Sequence, residues 1–194
     1  MGLENGTAQR IAAAALHILE QEGPERVTMR RVAKAVGITP MAIYHHYPSR
    51  ESLLKAVTDG EFSLLLRFLE RRWTKSFPES RLMQLMLGYL DYAFARPRVF
   101  DYVFSRPRPG ARRFPEDFRS RRSPTLNRVA DAVAAAMQAG MLKKDDVWEV
   151  SLALWAHAHG YIALYRGERL ALPEKEFRAL YRRSLRRFLH GLAA

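Results

Sequence analysis

Apolar residues recur along this chain at the three- and four-residue spacing of amphipathic helices, and no stretch alternates as a half-buried strand would. The pattern therefore predicts an all-α protein. Capping and turn residues mark three short helices near the amino terminus. Thr7 is predicted to cap the first helix, which ends at Gly23-Pro24. Thr28 is predicted to cap the second helix, which ends at Gly37. Thr39 is predicted to cap the third helix, which has Pro40 in its first turn.

Longer helices are predicted in the rest of the chain. They span about residues 50–74, 80–95, 99–104, 124–140 and 146–165, and a last helix begins at residue 173. Between the third and fourth of these lies the segment 106–123, which carries three prolines and seven arginines and is predicted to be a loop or short irregular helices.

Residues 28–50, TMRRVAKAVGITPMAIYHHYPSR, have the layout of a helix-turn-helix. On the second of its helices, Pro40, Met41, Tyr44 and His45 share one face, whereas Ile43 and Tyr47 share another. A helix that reads the DNA major groove needs such a division, with an apolar side packed on the bundle and an amino-terminal side free to enter the groove. A helical hairpin with a glycine at its turn also occurs in proteins that never bind DNA. The prediction of DNA binding therefore also depends on the helix caps, on the Tyr-His-His-Tyr run and on the place of the motif near the amino terminus.

The residue types suggest how this segment would contact DNA. Tyr44 and the two histidines can hydrogen-bond phosphates, and Pro40 and Met41 can touch thymine methyl groups. Arginine at the start of a helix can pair with phosphate or guanine. His45 and His46 are equally compatible with surface or packing roles. The predicted DNA-contacting residues are Thr28, Arg30, Arg31, Thr39, Pro40, Met41, Tyr44, His45, His46 and Arg50.

Charge is distributed unevenly along the 194 residues, which carry a formal net charge of +12. Residues 1–55 have a net charge of +2, from seven basic and five acidic groups, whereas residues 96–122 have +6, from nine arginines and three acids. Charge alone therefore does not establish DNA binding. The arginine-rich segment 96–122 has three interpretations: a solvated surface loop, an entrance that attracts anionic ligands, or a contact to DNA phosphates.

Several classes of protein are not expected. There is no cysteine, and hence no disulfide and no thiolate zinc site. The first ten residues lack an apolar run and no window reaches about 18 apolar residues, so neither a signal peptide nor a membrane span is predicted, and a cytoplasmic location is expected. No motif of a hydrolase, phosphate loop, metalloprotease or paired-carboxylate enzyme is present. A helical adaptor that binds membrane surfaces through its arginines is the remaining alternative.

The motif T-x-R-R-V-A…A-V-G-I-T…I-Y-H-H-Y-P-S-R-E-S-L resembles the amino-terminal domain of the tetracycline-repressor (TetR) family over about residues 8–55. Tyr47 stands where that family usually has Phe, and Arg50 where it usually has Lys. The resemblance implies a helix-turn-helix domain over residues 1–52 and a helical ligand-binding and dimerisation domain over residues 53–194. It also implies a repressor that a small molecule releases from a palindromic double-stranded DNA operator. The run Trp155-x-His157-x-His159-Gly160 resembles the Trp-His-Gly element of one carboxy-terminal subclass.

The second half offers two further expectations. Helices 124–139 and 146–165 are strongly apolar, and the alanines of the first would permit close helix approach, so together they are predicted to form a homodimer interface; ordinary burial within the monomer is the alternative. A ligand cavity is expected to be lined by Phe94, Phe100, Phe104, Trp155 and His159, which could equally be core residues. His157 and His159 are two residues apart and would diverge on a helix, so no metal site is predicted, and no cofactor is implied.

Overall fold

A computed structural model of the protein describes residues 2–71, 78–108 and 110–194. Its regular secondary structure is helical, which confirms the all-α prediction, and the described residues contain a single isolated antiparallel bridge, between Leu142 and Ala193. The α-helices are α1 Gly2–Glu22, α2 Met29–Val36, α3 Pro40–His46, α4 Arg50–Glu70, α5 Pro78–Ala95, α6 Pro97–Phe100, α7 Glu116–Arg119, α8 Pro124–Gln138, α9 Val147–Arg166 and α10 Glu174–Gly191. A 3₁₀ turn covers Pro24–Arg26, and a π-helical turn covers Asp101–Ser105.

Most predicted helix boundaries are close to the observed ones. Ser123 and Asp146 cap α8 and α9, as their residue types indicate, by accepting hydrogen bonds from backbone N–H groups of the first turn. The prediction that Thr7 caps the first helix was wrong, because α1 already begins at Gly2. No proline interrupts the residues before Thr7, so the helical hydrogen bonds continue through it. The predicted end of the fourth helix near residue 74 lies outside the described residues.

The chain divides into two compact units. Unit 1 comprises Met1–Leu64 and Phe94–Ala111, and unit 2 comprises Leu65–Ala93 and Arg112–Ala194. The core of unit 1 packs apolar side chains of α1, α2 and α3 with the first half of α4 and with Val99 and Val103. The helix-turn-helix therefore shares one core with residues that follow it by about 50 positions.

The core of unit 2 is formed by the apolar faces of α5, α8, α9 and α10. Tyr181 of α10 is fully buried and donates a hydrogen bond to the carbonyl oxygen of Met86 in α5, at 2.9 Å. Gly88 permits a close helix approach, because a Cβ atom at this position would lie 2.5 Å from the carbonyl oxygen of Phe68. Any larger residue at position 88 would therefore meet backbone atoms.

Burial on α8 bears on the predicted dimer interface. Ala130, Ala132 and Ala136 are almost completely buried within unit 2, whereas Ala135 and Ala139 are exposed. Half of the alanine-rich pattern thus reflects ordinary packing against the monomer core, which is the alternative that the sequence left open. The exposed small residues of the pair of helices lie mainly on α9, at Ala153, Ala156 and Ala163.

Membrane crossing is not supported by any helix among residues 2–71, 78–108 and 110–194, because none there is both long enough and apolar enough to span a bilayer.

Candidate nucleic-acid interface

Helix α3 is anchored to unit 1 by one apolar side. Ile43 is completely buried, and it packs in the same core as Val32 and Ala33 of α2. The residue after α3, Tyr47, is half-buried, and its hydroxyl donates a hydrogen bond to the carbonyl oxygen of Ala8 at 3.1 Å. Burial raises the pKa of Tyr47, so this hydroxyl keeps its proton. These contacts fix both the position and the rotation of α3.

The turn between α2 and α3 follows from local chemistry. Gly37 adopts the left-handed conformation at φ 76°, which costs glycine little. The N–H groups of Gly37 and Ile38 donate to the carbonyl oxygen of Ala33, each at 3.0 Å, and so close the end of α2 in the manner of a Schellman motif. Thr39 then caps α3 by accepting a hydrogen bond from the Ala42 N–H at 3.2 Å. The predicted caps and the predicted glycine turn are confirmed.

The opposite side of α3 is open. Met41 is 70% exposed and Tyr44 is 47% exposed, although both are large and apolar in part. Thr39, Pro40 and His45 are also exposed, whereas His46 is half-buried. A large exposed apolar side chain beside a fully buried one is the division that the sequence indicated for a groove-reading helix.

The two arginines at the start of α2 have different environments. Arg31 donates two hydrogen bonds to the carboxylate of Glu22, at 2.9 and 2.5 Å, and this contact lowers the pKa of Glu22 and raises that of Arg31. Arg30 is exposed, and within the described part of the chain its guanidinium has no hydrogen-bond or ion-pair partner. Arg30 is thus available to a ligand, whereas Arg31 would first have to leave Glu22.

Arg50 lies at the start of α4 and is bound to backbone carbonyl groups. Its Nε donates to the carbonyl oxygen of Val27 at 2.6 Å, and a terminal nitrogen donates to the carbonyl oxygen of Pro24. The guanidinium therefore secures the turn that leads into α2. Thr28 is similarly occupied, because its hydroxyl caps α2 by accepting from the Arg31 N–H at 3.3 Å. Both side chains therefore hold α2 and the turn before it in this structure.

Lys34 is a further candidate contact that the sequence reasoning missed. It lies four residues after Arg30 on α2, so both side chains belong to the same face of the helix, and both are exposed. Like Arg30, Lys34 has no hydrogen-bond or ion-pair partner among the residues that the structure describes. The four-residue spacing was a signal that could have identified it.

The residues proposed for a ligand cavity fall into both units. Phe94, Phe100 and Phe104 belong to unit 1, where Phe100 is completely buried and the rings of Phe100 and Phe104 have centroids 5.1 Å apart. Phe104 also meets the ring of Phe62 edge to face, with centroids at 5.9 Å. These contacts agree with the alternative that the phenylalanines are core residues of unit 1.

Trp155 and His159 belong to unit 2, where they converge on one tyrosine. The indole Nε1 of Trp155 donates to the hydroxyl of Tyr89 at 3.1 Å, and that hydroxyl lies 3.0 Å from Nδ1 of His159. Burial raises the pKa of Tyr89 far above its usual value, so the hydroxyl keeps its proton. The four-residue spacing of tryptophan and histidine on α9 therefore has a structural explanation.

Unit 2 also contains a mainly apolar cavity of about 250 Å³. It is lined by Leu82, Ala136, Met141, Leu142, Leu189, His190 and Ala193. None of the five residues proposed from the sequence is among them. Within the described ranges, no cluster of three histidine, aspartate or glutamate side chains could hold a metal ion.

Two family models match the chain. The model of bacterial regulatory proteins of the tetR family matches residues 11–57, which include α2 and α3. The model described as tetracyclin repressor-like, C-terminal domain, matches residues 82–188, which is more than half of the chain. The two matches together cover most of both units.

Relatives by sequence include nucleoid occlusion factor SlmA of Pasteurella multocida, 31% identical over 91 residues, which is 46% of this chain and 46% of that protein. The factor of the same name from Haemophilus influenzae is 30% identical over 91 residues, covering 46% of this chain and 42% of that protein. The chain thus spans a little under half the length of the curated relatives that it matches.

Solved structures share the fold over nearly the whole chain. A protein of unknown function from Rhodococcus sp. RHA1 has a TM-score of 0.80 at 23% identity, covering 97% of this chain and 95% of that one. A TetR-family transcriptional regulator from Haemophilus influenzae has a TM-score of 0.69 at 17% identity, covering 96% and 98%. At these identities the similarity shows the fold.

Proposed function

Since the chain belongs to the tetR family of bacterial regulatory proteins, whose members are transcriptional regulators that bind DNA and dimerise and are not enzymes, we propose that it is a ligand-responsive repressor. In this proposal a homodimer binds a palindromic operator in the cytoplasm, and a small molecule releases it. Membership of the Trp-His-Gly subclass and the division into functional domains at residues 52 and 53 stay predictions.

The observation that carries DNA reading is the environment of α3. Met41 and Tyr44 project from a helix that Ile43 holds immobile, so their exposure is fixed by packing. A preorganised side chain loses less conformational entropy on binding than a free one does. We assign Met41 and Pro40 to apolar base contacts and Tyr44, His45, Arg30 and Lys34 to phosphates or base edges.

Four of the residues first proposed as direct contacts receive a positioning role. Thr28 caps α2, and Thr39 caps α3. Arg50 holds the turn before α2, and Arg31 pairs with Glu22. We propose that they position α2 and α3, as hydrogen bonds behind a binding surface commonly do. His46, which is half-buried, is assigned to packing beside the surface.

We propose that the dimer forms through α8 and α9, with α9 at its centre. Its exposed side carries Ala153, Ala156 and Ala163 together with Leu164, which is 46% exposed. A helix pair related by a twofold axis buries such residues in both copies at once. A dimer presents two reading helices to two half-sites, which explains why the operator would be palindromic.

For the effector we propose a site in unit 2 that includes Trp155 and His159. An aromatic ring beside a polar imidazole suits a ligand with an apolar body and one polar group. Release would require that the ligand favour one conformation of the dimer over another, since equal affinity for both would shift nothing. The cavity lined by Leu82 and Met141 is the alternative place within the same unit.

Selection of bound fragments from genomic and random duplex DNA tests the proposal. We expect a palindrome with half-sites about one helical turn apart. In a titration at fixed salt, the double substitution Met41→Ala and Tyr44→Ala should weaken binding to that sequence by on the order of 100-fold, since each lost base contact is worth about 1–3 kcal/mol. Phe114→Ala, which removes an exposed aromatic ring outside the interface, is the matched control. A purified protein that selects no sequence would contradict the proposal.

The name of the relatives suggests a second function to be tested in the same experiment. A nucleoid occlusion factor is named for an action at the nucleoid and not at a promoter. Binding sites concentrated upstream of a few genes would support the repressor. Sites dispersed over the chromosome, without promoters, would favour the second function.

A further inference from the structure

The outer face of α10 carries a dense group of arginines. Arg182, Arg183, Arg186 and Arg187 are all exposed, and we call them the α10 arginine stripe. They occupy two columns of residues four apart, and the whole stripe is only about 7.5 Å long on the helix axis. No aspartate or glutamate occurs from Phe177 to the end of the sequence, so no acidic residue of α10 lies within one turn of the stripe.

The stripe differs from a group of arginines elsewhere in unit 2 that have acidic partners. Arg119 pairs with Asp146, Arg121 with Asp131 and Arg122 with Asp117. Arg178, one turn before the stripe, pairs with both Asp91 and Glu174 at 2.7 Å. In contrast, within the described ranges no hydrogen bond or ion pair is made by any of the four stripe guanidinium groups.

Two ordinary explanations of the stripe are insufficient. Basic residues stabilise the carboxyl end of a helix, but that effect is confined to the last turn, and Arg182 lies more than two turns before Gly191. A face that only confers solubility would not need one sign of charge, since like charges four residues apart destabilise a helix by about 0.2–0.5 kcal/mol per pair. The stripe contains two such pairs.

Two lysines before α9 add positive charge near the carboxyl end of α10. The backbone N–H of Lys143 donates to the carbonyl oxygen of Leu192 at 3.0 Å, which places the Lys143-Lys144 pair beside this end. Both lysines are exposed, and His190 is exposed on the last turn. Asp145 and Asp146 follow the lysines, but Asp146 is engaged by Arg119 and by the first turn of α9. The four arginines therefore supply the main unpaired positive charge of this surface.

The chemistry of the stripe selects one class of partner. Exposed large apolar side chains among the described residues are Met41, Tyr44, Phe114 and Leu164, and none of them lies on α10. Stable binding to a bilayer needs an apolar anchor in addition to basic residues, and the hot spots of protein interfaces usually combine arginine with aromatic side chains. A purely polar, arginine-dense surface matches a nucleic-acid backbone, which presents closely spaced phosphates that guanidinium groups bind in bidentate fashion.

We propose that the α10 arginine stripe is a second nucleic-acid contact, which binds duplex phosphates without regard to sequence. It is separate from the reading surface on α2 and α3, and it does not depend on repression or on an effector. It would add sequence-independent affinity from unit 2 of the protein.

The test uses the full-length protein with Met41→Ala and Tyr44→Ala already present, so that the reading helix is disabled. Binding to a fluorescent duplex of random sequence is measured by anisotropy at several salt concentrations. In this background Arg182, Arg183, Arg186 and Arg187 are all changed to Gln, which removes the charge and keeps a polar side chain of similar helix propensity. The matched control changes Arg106, Arg119, Arg121 and Arg122 to Gln, which removes the same charge from arginines that are already ion-paired.

We expect the stripe variant to lose more than tenfold in duplex affinity at about 50 mM salt, and the slope of log K against log salt to become shallower by about three to four, because each phosphate contact contributes about 0.9. The control should lose less than threefold. The four-fold Arg→Lys variant of the stripe should retain most of the slope, since it keeps the charge, and circular dichroism should show that every variant keeps its helices.

Three outcomes would overturn the proposal. Equal losses in the stripe and control variants would show an effect of net charge only. Unchanged duplex binding with lost binding to vesicles of phosphatidylserine and phosphatidylcholine would identify a membrane contact. Unchanged duplex binding with lost binding to polyglutamate would identify an acidic protein segment as the partner.

Discussion

Helices α3 and α9 both expose residues that globular proteins usually cover, but the exposed residues differ in size. On α3 they are large, Met41 and Tyr44, and they stand beside the buried Ile43. On α9 most are small, Ala153, Ala156 and Ala163, with Leu164 at the end. Large projecting side chains fit a groove, whereas a smooth face of alanine fits another helix at short distance. The difference supports the two partners that we propose, DNA for α3 and a second copy of the chain for α9.

The largest expected effect comes from placing a long charge on the α9 face. We expect Ala156→Arg to convert the dimer to monomers, because an unpaired charge would be buried in each copy. Operator affinity should then fall by about 10²–10⁴-fold, the gain that two linked sites normally provide. Sedimentation and an operator titration measure both quantities. Ala179→Arg, which adds the same residue to an exposed position of α10, should leave the dimer intact; a dimer that survives Ala156→Arg would mean that α9 is not the interface.

The next largest effect distinguishes the buried side of α3 from its exposed side. Ile43→Ala should lower the free energy of unfolding by about 2–5 kcal/mol, because it leaves a cavity in the core of unit 1. Met41→Ala, two residues away, should change that free energy by less than about 0.5 kcal/mol, since the side chain is exposed, and yet it should weaken operator binding. Chemical denaturation and a binding titration check the pair. Equal destabilisation by both substitutions would remove the distinction between anchor and reader.

A smaller effect on stability is expected when the glycines of α5 and α9, Gly88 and Gly160, are changed to alanine. Gly88→Ala should destabilise the protein by about 1–3 kcal/mol, because the new methyl group would overlap the backbone of Phe68. At Gly160 of α9 an added Cβ meets no atom within 4 Å inside the chain, so Gly160→Ala should stabilise the monomer by up to about 1 kcal/mol through helix propensity. Thermal unfolding measures both. If Gly160→Ala instead weakens dimerisation, the α9 face is shown to pack closely against a partner.

The smallest effect concerns the two arginines of α2. Arg30→Gln should weaken binding to all duplexes by a similar factor and reduce the salt slope by about one, as expected for a single phosphate contact. Arg31→Gln should have less effect on the slope, since Arg31 is paired with Glu22. Salt titrations of both variants give the comparison. A larger change for Arg31 would show that it leaves Glu22 when DNA binds.

A contrast of the same kind exists between the two arginine-rich regions. The segment 96–122 has the larger excess of charge in the sequence, but at least seven of its nine arginines contact acceptors or aromatic rings inside the protein. Arg98, for example, donates to the carbonyl oxygen of Glu20 at 3.0 Å. The α10 arginine stripe has fewer arginines, but within the described residues none of their guanidinium groups has a hydrogen-bond or ion-pair partner. A count of basic residues therefore does not locate the basic surface.

Much of the fold and of the reading surface was accessible from the sequence, because the signals act over three or four residues. Thr28, Gly37 and Thr39 occupy the caps and turns that their chemistry predicts, and the spacing of Ile43 and Met41 separates the buried from the exposed side of α3. The prediction was wrong at Thr7, because this possible cap lies inside α1 and not at its start. A local signal permits a boundary but does not require one.

What the sequence determined by itself is the all-helical architecture and the place of the helix-turn-helix, since hydrophobic period and capping are properties of neighbouring residues. Only the tertiary structure decided which polar groups are available. Arg50 binds the carbonyl oxygens of Pro24 and Val27, more than 20 residues away, and Tyr89 joins Trp155 and His159 across about 70. These hydrogen-bond partners depend on how the helices pack, and the local pattern of residues does not determine that packing.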